Sequence, residues 1–421
     1  MEATPAAVVP PMGQLGATMS IRSPCRPARK TIGRLSGPSR YGLLFSAALG
    51  AFGRNGYFLT ASWILAERGY GSAGLAVFLA IVSATEFILS PVAGLLADRF
   101  NRRRLQAMAD LGRFIVSLAT ASALPNVAAL PAMCMSAVLF SFCDRVALTS
   151  GQSMIPAIVA GRDSATWNSI VVVVMQTGNF GAALLIGMLL GGYASAVPFA
   201  VLATSFLFAA IIVASTNTST ASRGCRPQLT TVLEVKPGFR RLVVAYALFY
   251  SSAVLFSVMG SSFVFAELKG TAADFGVLEA AWSIGSLLGA VSLAAVRPRI
   301  SADRQHLCLL GTIALMFITL RYSHTPWTTL LFASVGFLYN LGRVSVEVAF
   351  QSRVAAASLG RAKGVMHSVA VALSLMVFAV VAAVGDRAVP SMIFFGFGVI
   401  LLIGISVLTV FHRQPQEKGK S

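Results

Sequence analysis

Apolar runs of about 20 residues recur from residue 42 to residue 411, separated by short polar segments. A helix needs about 20 residues to cross the hydrocarbon core of a bilayer, so each run predicts a membrane span. The twelve runs have the approximate limits 42–66, 74–97, 105–124, 127–149, 166–190, 193–215, 240–266, 274–296, 305–323, 326–349, 362–384 and 389–411. The pattern predicts an all-α membrane protein with twelve transmembrane helices.

A polar stretch rich in Ser, Thr and Arg divides the spans into two sets of six. We expect two pseudo-symmetric halves, each of six helices, with a substrate cavity between them at the middle of the membrane. The expected parts are a disordered basic arm (1–41), the first half (42–215), a connector (216–239), the second half (240–411) and a tail (412–421).

Composition supports a membrane protein, because 56% of the residues are hydrophobic, only 11% are charged and the mean hydropathy is +0.77. The net charge of +18 reflects topology rather than nucleic-acid binding. Alternate inter-span segments hold nearly all the basic residues, and the others hold only Arg68, Lys269, Arg321 and Arg387. The positive-inside rule then predicts a multi-pass protein of the inner or plasma membrane, with both termini in the cytoplasm.

The five cysteines form no CxxC pair, and no histidine lies near them at metal-ligand spacing. They are Cys25, Cys134, Cys143, Cys225 and Cys308. We therefore expect no disulfide framework, no metal and no cofactor. The absence of a GxxxxGK[ST] stretch also argues against an ATP-driven pump.

A strongly charged loop joins the second and third spans and runs from Gly94 to Arg104. It resembles the loop of major facilitator superfamily transporters, whose pattern is Gly, any residue, Leu, small, Asp, basic, any residue, Gly, Arg, basic. Only Asn101 departs from that pattern, in place of the second Gly. The departure is mild, because Asn tolerates the left-handed backbone that Gly usually supplies.

The resemblance implies a gate on the cytoplasmic side. Asp98 would cap a helix end of the other half, with Arg99, Arg102 and Arg103 as its partners in a charge network. The second half has a degenerate copy of this region, Gly276 to Arg299, which lacks the aspartate. We therefore expect Asp98 to act alone.

Ionisable residues inside the spans are costly and are functional candidates. Arg54 and Glu86 lie at similar depth in the first two spans and are predicted to pair, or Glu86 takes up a proton beside a substrate-binding Arg54. Further candidates for binding substrate or protons are Asp144, Arg343 and Glu347.

Two pairs of charged residues inside the spans are close in sequence. Asp110 and Arg113, three apart, can pair on one face of the third span. Asp144 and Arg145 are adjacent, so they point in different directions and need other partners. A static salt bridge is the competing explanation for every pair. If Arg54 and Arg343 line the cavity, an anionic or catechol-like substrate would suit them.

Small residues at helical spacing predict close helix packing rather than substrate contacts. The fifth span contains Gly178, Gly181, Gly187 and Gly191, and the eighth contains Gly285 and Gly289. No Pro lies between Gly178 and Gly191, so the Gly-Pro pair of drug-exporting antiporters is absent.

The region from Gly42 through the charged loop to Arg113, together with Ser358 to Met366, resembles the enterobactin-exporter branch of the superfamily. That resemblance implies proton-coupled export of a small siderophore-like or drug-like molecule. We expect the partners to be this substrate, protons and membrane lipid, with no nucleic acid, and the protein to be a monomer.

An uptake permease, an integral-membrane enzyme and a non-transporting sensor are the alternatives to export. An enzyme is disfavoured because His306, His324 and His412 are placed in loops or at ends, and His367 has no obvious acidic partner.

Overall fold

The computed structural model of the protein describes residues 37–159, 164–216, 238–295, 302–324, 326–354, 359–385 and 387–412. These residues form twelve α-helices and no β-strand, which confirms the predicted all-helical fold. The helices α1 to α12 are, in order, Gly37–Glu67, Gly71–Arg99, Arg102–Ala123, Ala129–Val159, Ser164–Gly192, Ala196–Ser215, Phe239–Ser262, Ala272–Ala295, Ala302–Thr319, Trp327–Arg353, Leu359–Val384 and Pro390–His412. A π-helical turn, Phe263–Glu267, extends α7.

Short connections make consecutive helices antiparallel. We call the end of the bundle at residues 99–102 the loop end, and the end at residues 67–71 the far end. Gly69 and Gly71 turn the chain at the far end with φ angles of 80° and 57°, a left-handed backbone that favours glycine. Asp274 fixes the start of α8 there, because its carboxylate accepts from the Thr271 backbone N–H at 2.7 Å.

Helix contacts show the predicted relation between the two halves. Within the first half α1 packs on α5 and α6, α2 on α4, and α3 on α4 and α6. Contacts six helices further along repeat this arrangement, since α7 packs on α11 and α12, α8 on α10, and α9 on α10 and α12. Between the halves, α2 packs on α11 and α5 on α8, a pair of contacts that the same six-helix shift exchanges.

Nine helices in the described residues are long and apolar enough to cross a membrane, judged by length and composition alone. The other three are α1, α3 and α12, and α3 is made polar by its basic first turn and by Asp110 and Arg113. Large apolar side chains such as Ile88, Leu139 and Ile400 are exposed on the outside of the bundle. An apolar exterior around polar interior groups fits a bilayer environment.

The halves touch closely near the far end. A Cβ added to Gly187 of α5 would lie 2.8 Å from the Gly276 Cα and 3.1 Å from the Ala272 carbonyl oxygen, both of α8. The ring of Trp63 in α1 stacks on Phe275 at 6.0 Å, across the same boundary. Glycine at these positions lets the helix backbones meet, so α5 and α8 join the two halves near the far end.

Other glycines fit the expected packing role less uniformly. Gly178 meets the backbone of α1 at Ala48, and Gly285 and Gly289 meet the backbone of α10 at Ala333 and Phe337. Gly191, by contrast, has open space where a Cβ would stand. The GxxxG pair of α5 therefore contributes one packing position, Gly187.

Candidate functional site

The innermost charges of the first half meet at Arg113 of α3. Its guanidinium pairs with Asp110 one turn earlier, and its Nη1 lies 2.8 Å from Asp144 Oδ1 on α4. The side chains of Arg113, Asp110 and Asp144 are 4%, 1% and 0% exposed, so this is a buried cluster. The guanidinium carbon also lies 4.4 Å from the centre of the Phe206 ring, which closes the cluster on the α6 side.

Arg54 of α1 links this cluster to a second one. Its Nε lies 2.8 Å from Asp144 Oδ2, and its Nη2 lies 3.2 Å from Glu86 Oε1 on α2. The other carboxylate oxygen of Glu86 pairs with Arg145 on α4. The adjacent residues Asp144 and Arg145 do find different partners, because neighbouring positions on a helix point about 100° apart.

These side chains form one continuous charge network of three arginines and three carboxylates from α1, α2, α3 and α4. Its formal charges cancel, which lowers the cost of placing it inside the membrane. Glu86 is its most exposed carboxylate, at 13%, and is shared by two arginines. Of the three acids, Glu86 is therefore the one that water can reach most easily.

Arg343 and Glu347 pair within α10, where Arg343 Nη1 lies 3.4 Å from Glu347 Oε1. Arg343 also donates to the Asn340 side-chain oxygen, with Nη2 at 3.1 Å. Both Arg54 and Arg343 thus have carboxylate partners already. An anionic or catechol-like substrate would have to compete with these carboxylates for the two arginines, and that substrate class stays a prediction.

A central cavity of about 200 Å³ lies between the halves. The first half contributes Asn55, Gln176 and Asn179, and the second half contributes residues of α7, α8 and α10. Asn55 Nδ2 donates to the Asn179 backbone oxygen at 3.0 Å, and Asn179 Nδ2 donates to Gln176 Oε1 at 2.8 Å. These amides are held in place by one another and present a fixed polar wall.

The second-half wall of the central cavity contains Glu279, a residue absent from the sequence-based candidates. It lies on α8 with Trp282 and Ser283, and is half-buried. Its signal was available in the sequence, because it is a lone acid about two turns inside an apolar span. No basic residue lies within a helical turn of Glu279 in the sequence to suggest a partner.

A second cavity, of about 140 Å³, lies inside the first half beside the charge network. It is lined mainly by apolar side chains of α1, α4 and α5, together with Arg54, Arg113 and Asn179. Arg54 and Arg113 of the charge network therefore border this second cavity, and Asn179 lines both cavities.

The charged loop is short, because α2 ends at Arg99 and α3 begins at Arg102. Gly94 has open space around it, Arg99 is exposed, and the Arg103 guanidinium donates to the Thr216 carbonyl oxygen at the end of α6. Arg103 therefore ties the loop to its own half. Arg102 also has an interaction partner. The Asp98 side chain lies outside the described part of the structure, so its gating role stays a prediction.

Asn101 does not use the left-handed backbone that Asn tolerates. Its φ is −66° and its ψ is 113°, an extended backbone, and its side chain caps α3. The backbone N–H groups of Arg103 and Arg104 donate to Asn101 Oδ1 at 3.1 Å and 3.3 Å. Asn replaces Gly here because its side-chain oxygen satisfies helix N–H groups that otherwise have no intrahelical acceptor.

Replacing Asn101 by Ala is expected to lower the free energy of unfolding by about 1 kcal/mol, whereas Asn101→Ser retains the cap and costs little. Thermal unfolding of the purified variants measures the difference. Equal losses for Ala and Ser would contradict the capping role and restore a purely backbone requirement.

Several sequence predictions fall elsewhere. His306 lies near the start of α9 and is buried there, with its Nε2 3.0 Å from Ser345 Oγ. His367 of α11 packs edge-on against the ring of Tyr250 at 5.8 Å. Residues 1–36, most of the connector, residues 296–301 and the tail from 413 onward lie outside the described residues, as do Cys25 and Cys225.

Solved structures of several transporters share this fold. A mutant of the nucleoside transporter NupG has a TM-score of 0.75 at 14% identity, covering 88% of this chain and 99% of that one. A bacterial homologue of the human lysosomal transporter Spinster, inward-facing and occupied, has a TM-score of 0.70 at 13% identity, covering 91% and 98%. The peptide transporter POT in complex with alafosfalin has a TM-score of 0.69 at 15% identity, covering 92% and 96%.

Sequence comparison gives the family directly. No curated protein matches the chain. Residues 43–385, which cover eleven of the twelve helices, match the sequence profile of the Major Facilitator Superfamily. The chain therefore belongs to the Major Facilitator Superfamily, and it is a multi-pass membrane transporter rather than an enzyme.

Proposed function

We propose that the protein is a proton-coupled secondary transporter that exports a small molecule by alternating access. The observation that carries the proposal is Glu86, a carboxylate at the edge of a neutral buried network, shared by Arg54 and Arg145. A proton on Glu86 would remove the negative charge that holds both arginines. Because Arg54 also contacts Asp144, that loss would reach the buried centre of the first half.

The central cavity gives the second element that alternating access requires. It lies between the halves, and the contact of Gly187 with Gly276 joins the halves on its far-end side. With the basic loop end in the cytoplasm, as the positive-inside rule favours, this arrangement corresponds to a cavity shut off from the outside. Rocking of one half against the other would then expose it on the opposite face.

Export is the direction that the loop and the Ser358–Met366 region favour through their resemblance to the enterobactin-exporter branch. The nucleoside, peptide and Spinster-type transporters compared above add no support for that branch or for a siderophore. Accumulation of candidate compounds, measured in cells with and without the gene at two external pH values, tests direction and coupling together. Lower internal levels after loss of the gene would mean that the protein takes its substrate up.

Replacing Glu86 by Gln is expected to make transport insensitive to external pH, because Gln has the shape of the protonated acid and cannot release a proton. The measurement is the initial rate of transport in inside-out vesicles at two pH values of the medium. The two rates should become equal in the variant. The matched control is Glu347→Gln, which removes an acid that pairs with one arginine of its own helix.

The control should keep its pH dependence. If Glu347→Gln abolishes that dependence while Glu86→Gln retains it, the coupling site lies in α10 and not in the first-half network.

A further inference from the structure

Among the acids well inside the described spans, Glu279 has no arginine or lysine within ion-pair distance. In the residues that the structure describes, Glu86, Asp110, Asp144 and Glu347 each lie within ion-pair distance of an arginine. Glu279 makes no ion pair and no hydrogen bond within that same part of the chain, although it lines the central cavity. A carboxylate placed in a membrane interior without a partner is costly, so a partner from outside the chain would stabilise it.

The surroundings of Glu279 suit a positive charge. It is the only formally charged residue among those that line the described cavity. Asn340, on the same second-half wall, has its oxygen occupied by Arg343, and its Nδ2 donates to the Ser286 backbone oxygen at 2.7 Å. Arg343 in turn pairs with Glu347, so the charge of Arg343 is already balanced within α10.

Aromatic rings line the same wall. The Trp282 ring stacks on Phe256, with centroids 4.3 Å apart and planes at 10°, and the Tyr339 ring lies 5.5 Å from it. Trp282 is one turn along α8 from Glu279, so the indole and the carboxylate share a face of the helix. Aromatic faces attract cations, and a flat ring of a ligand can pack against them.

We propose that the central cavity is a binding site for a small organic cation, an aromatic amine or ammonium compound whose charge pairs with Glu279. Its ring packs against Trp282 and Tyr339, and the amides of Asn55, Gln176 and Asn179 provide the polar wall on the first half. This inference rests on the proposed transport function and gives it a substrate class. The class is opposite in charge to the anion that the arginines suggested.

The site spans both halves, which links recognition to the transport cycle. A ligand held by Glu279 on α8 and by the amides of α1 and α5 contacts both bodies that must move. Such a ligand stabilises whichever arrangement of the halves brings the two walls together. Occupancy of the site therefore favours the arrangement in which the two walls enclose the ligand.

Binding to the purified full-length protein tests the proposal by calorimetry with three probes that share a phenyl ring and a short chain. They are trimethyl(2-phenylethyl)ammonium, permanently positive, 2-phenylethanol, neutral, and 3-phenylpropanoate, negative. We expect the wild-type protein to bind the cation about 10- to 100-fold more tightly than the neutral probe. Glu279→Gln should abolish that preference, and Glu279→Asp, which keeps the charge, should retain most of it.

Glu67→Gln is the matched control, because it removes an exposed carboxylate at the far end of α1, away from the cavity. It should leave the preference unchanged. Absence of a cation preference in the wild-type protein overturns the proposal. So does a Glu279→Gln variant that keeps the preference but loses the pH dependence of transport, since Glu279 would then carry protons.

The outcome is separable from that of the proposed function. Calorimetry reads the cation preference whether or not the protein moves its ligand across a membrane. The vesicle and cell assays read transport and its coupling whichever ligand is bound.

Discussion

Replacing Arg113 by Met should cost the folded protein about 3–5 kcal/mol of unfolding free energy, because it leaves two buried carboxylates without their shared cation. Asp110 and Asp144 are 1% and 0% exposed, so water cannot replace the guanidinium. Arg54 would remain as the partner of Asp144, while Asp110 would have none of the arginines seen in the described part. The measurement is the thermal unfolding temperature of the purified variant and its yield in membranes.

The control for this prediction is Arg321→Met, which removes an exposed arginine at the far end. It should change stability by less than about 0.5 kcal/mol. If burial of unpaired acids causes the loss, adding Asp110→Asn to Arg113→Met should recover part of the stability. No recovery would contradict the electrostatic explanation and would point to the packing of Arg113 on Phe206.

The sequence contained enough information to predict the helices and the first level of pairing. Arg54 and Glu86 were matched because each lies about midway along neighbouring antiparallel spans, and Asp110 and Arg113 because three residues make one helical turn. The sequence does not predict that these pairs join into one network. It depends on how α1, α3 and α4 are rotated about their axes, which packing of the whole half decides.

Asn101 and Glu279 show two different failures of sequence reasoning. Asn101 precedes the helical run that begins at Arg102, and Asn in that place is a standard cap signal. The resemblance to the superfamily loop indicates instead a backbone requirement, because the pattern has Gly at this position. Glu279 met the general criterion for a functional span acid without any sequence neighbour to suggest a role. Only the cavity between the halves supplies that role, and a cavity is a property of the assembled fold.

The two halves contribute different groups to the proposed transport cycle. The first-half network contains charges that cancel and an acid, Glu86, at its more exposed edge, which suits a proton-dependent change of packing. The second half contributes the unpaired Glu279 and the aromatic wall, which suit recognition. Asn179 of α5 lines both cavities, so a movement of α5 would change the cavity beside the charge network and the central cavity together.

Replacing Gly187 by Ala should destabilise the arrangement in which the far end is closed. The added Cβ would lie 2.8 Å from the Gly276 Cα, closer than nonbonded carbons can approach, so α5 and α8 must separate. Overpacking of this kind costs about 1–3 kcal/mol, which shifts a two-state equilibrium by about 5- to 150-fold. The variant should fold, since the contact joins the halves and is absent when they part.

The side of the membrane from which a reagent reaches the central cavity measures that shift. A cysteine in place of Ser283, in a background without the native cysteines, should react faster with an impermeant thiol reagent added at the far end once Gly187 is Ala. Gly191→Ala, one turn further along α5 with open space at its Cβ position, should have no effect. Gly285→Ala, which meets α10 within the second half, should lower stability without changing the side of access. A Gly187→Ala variant with wild-type accessibility would show that the α5–α8 contact does not hold the far end closed.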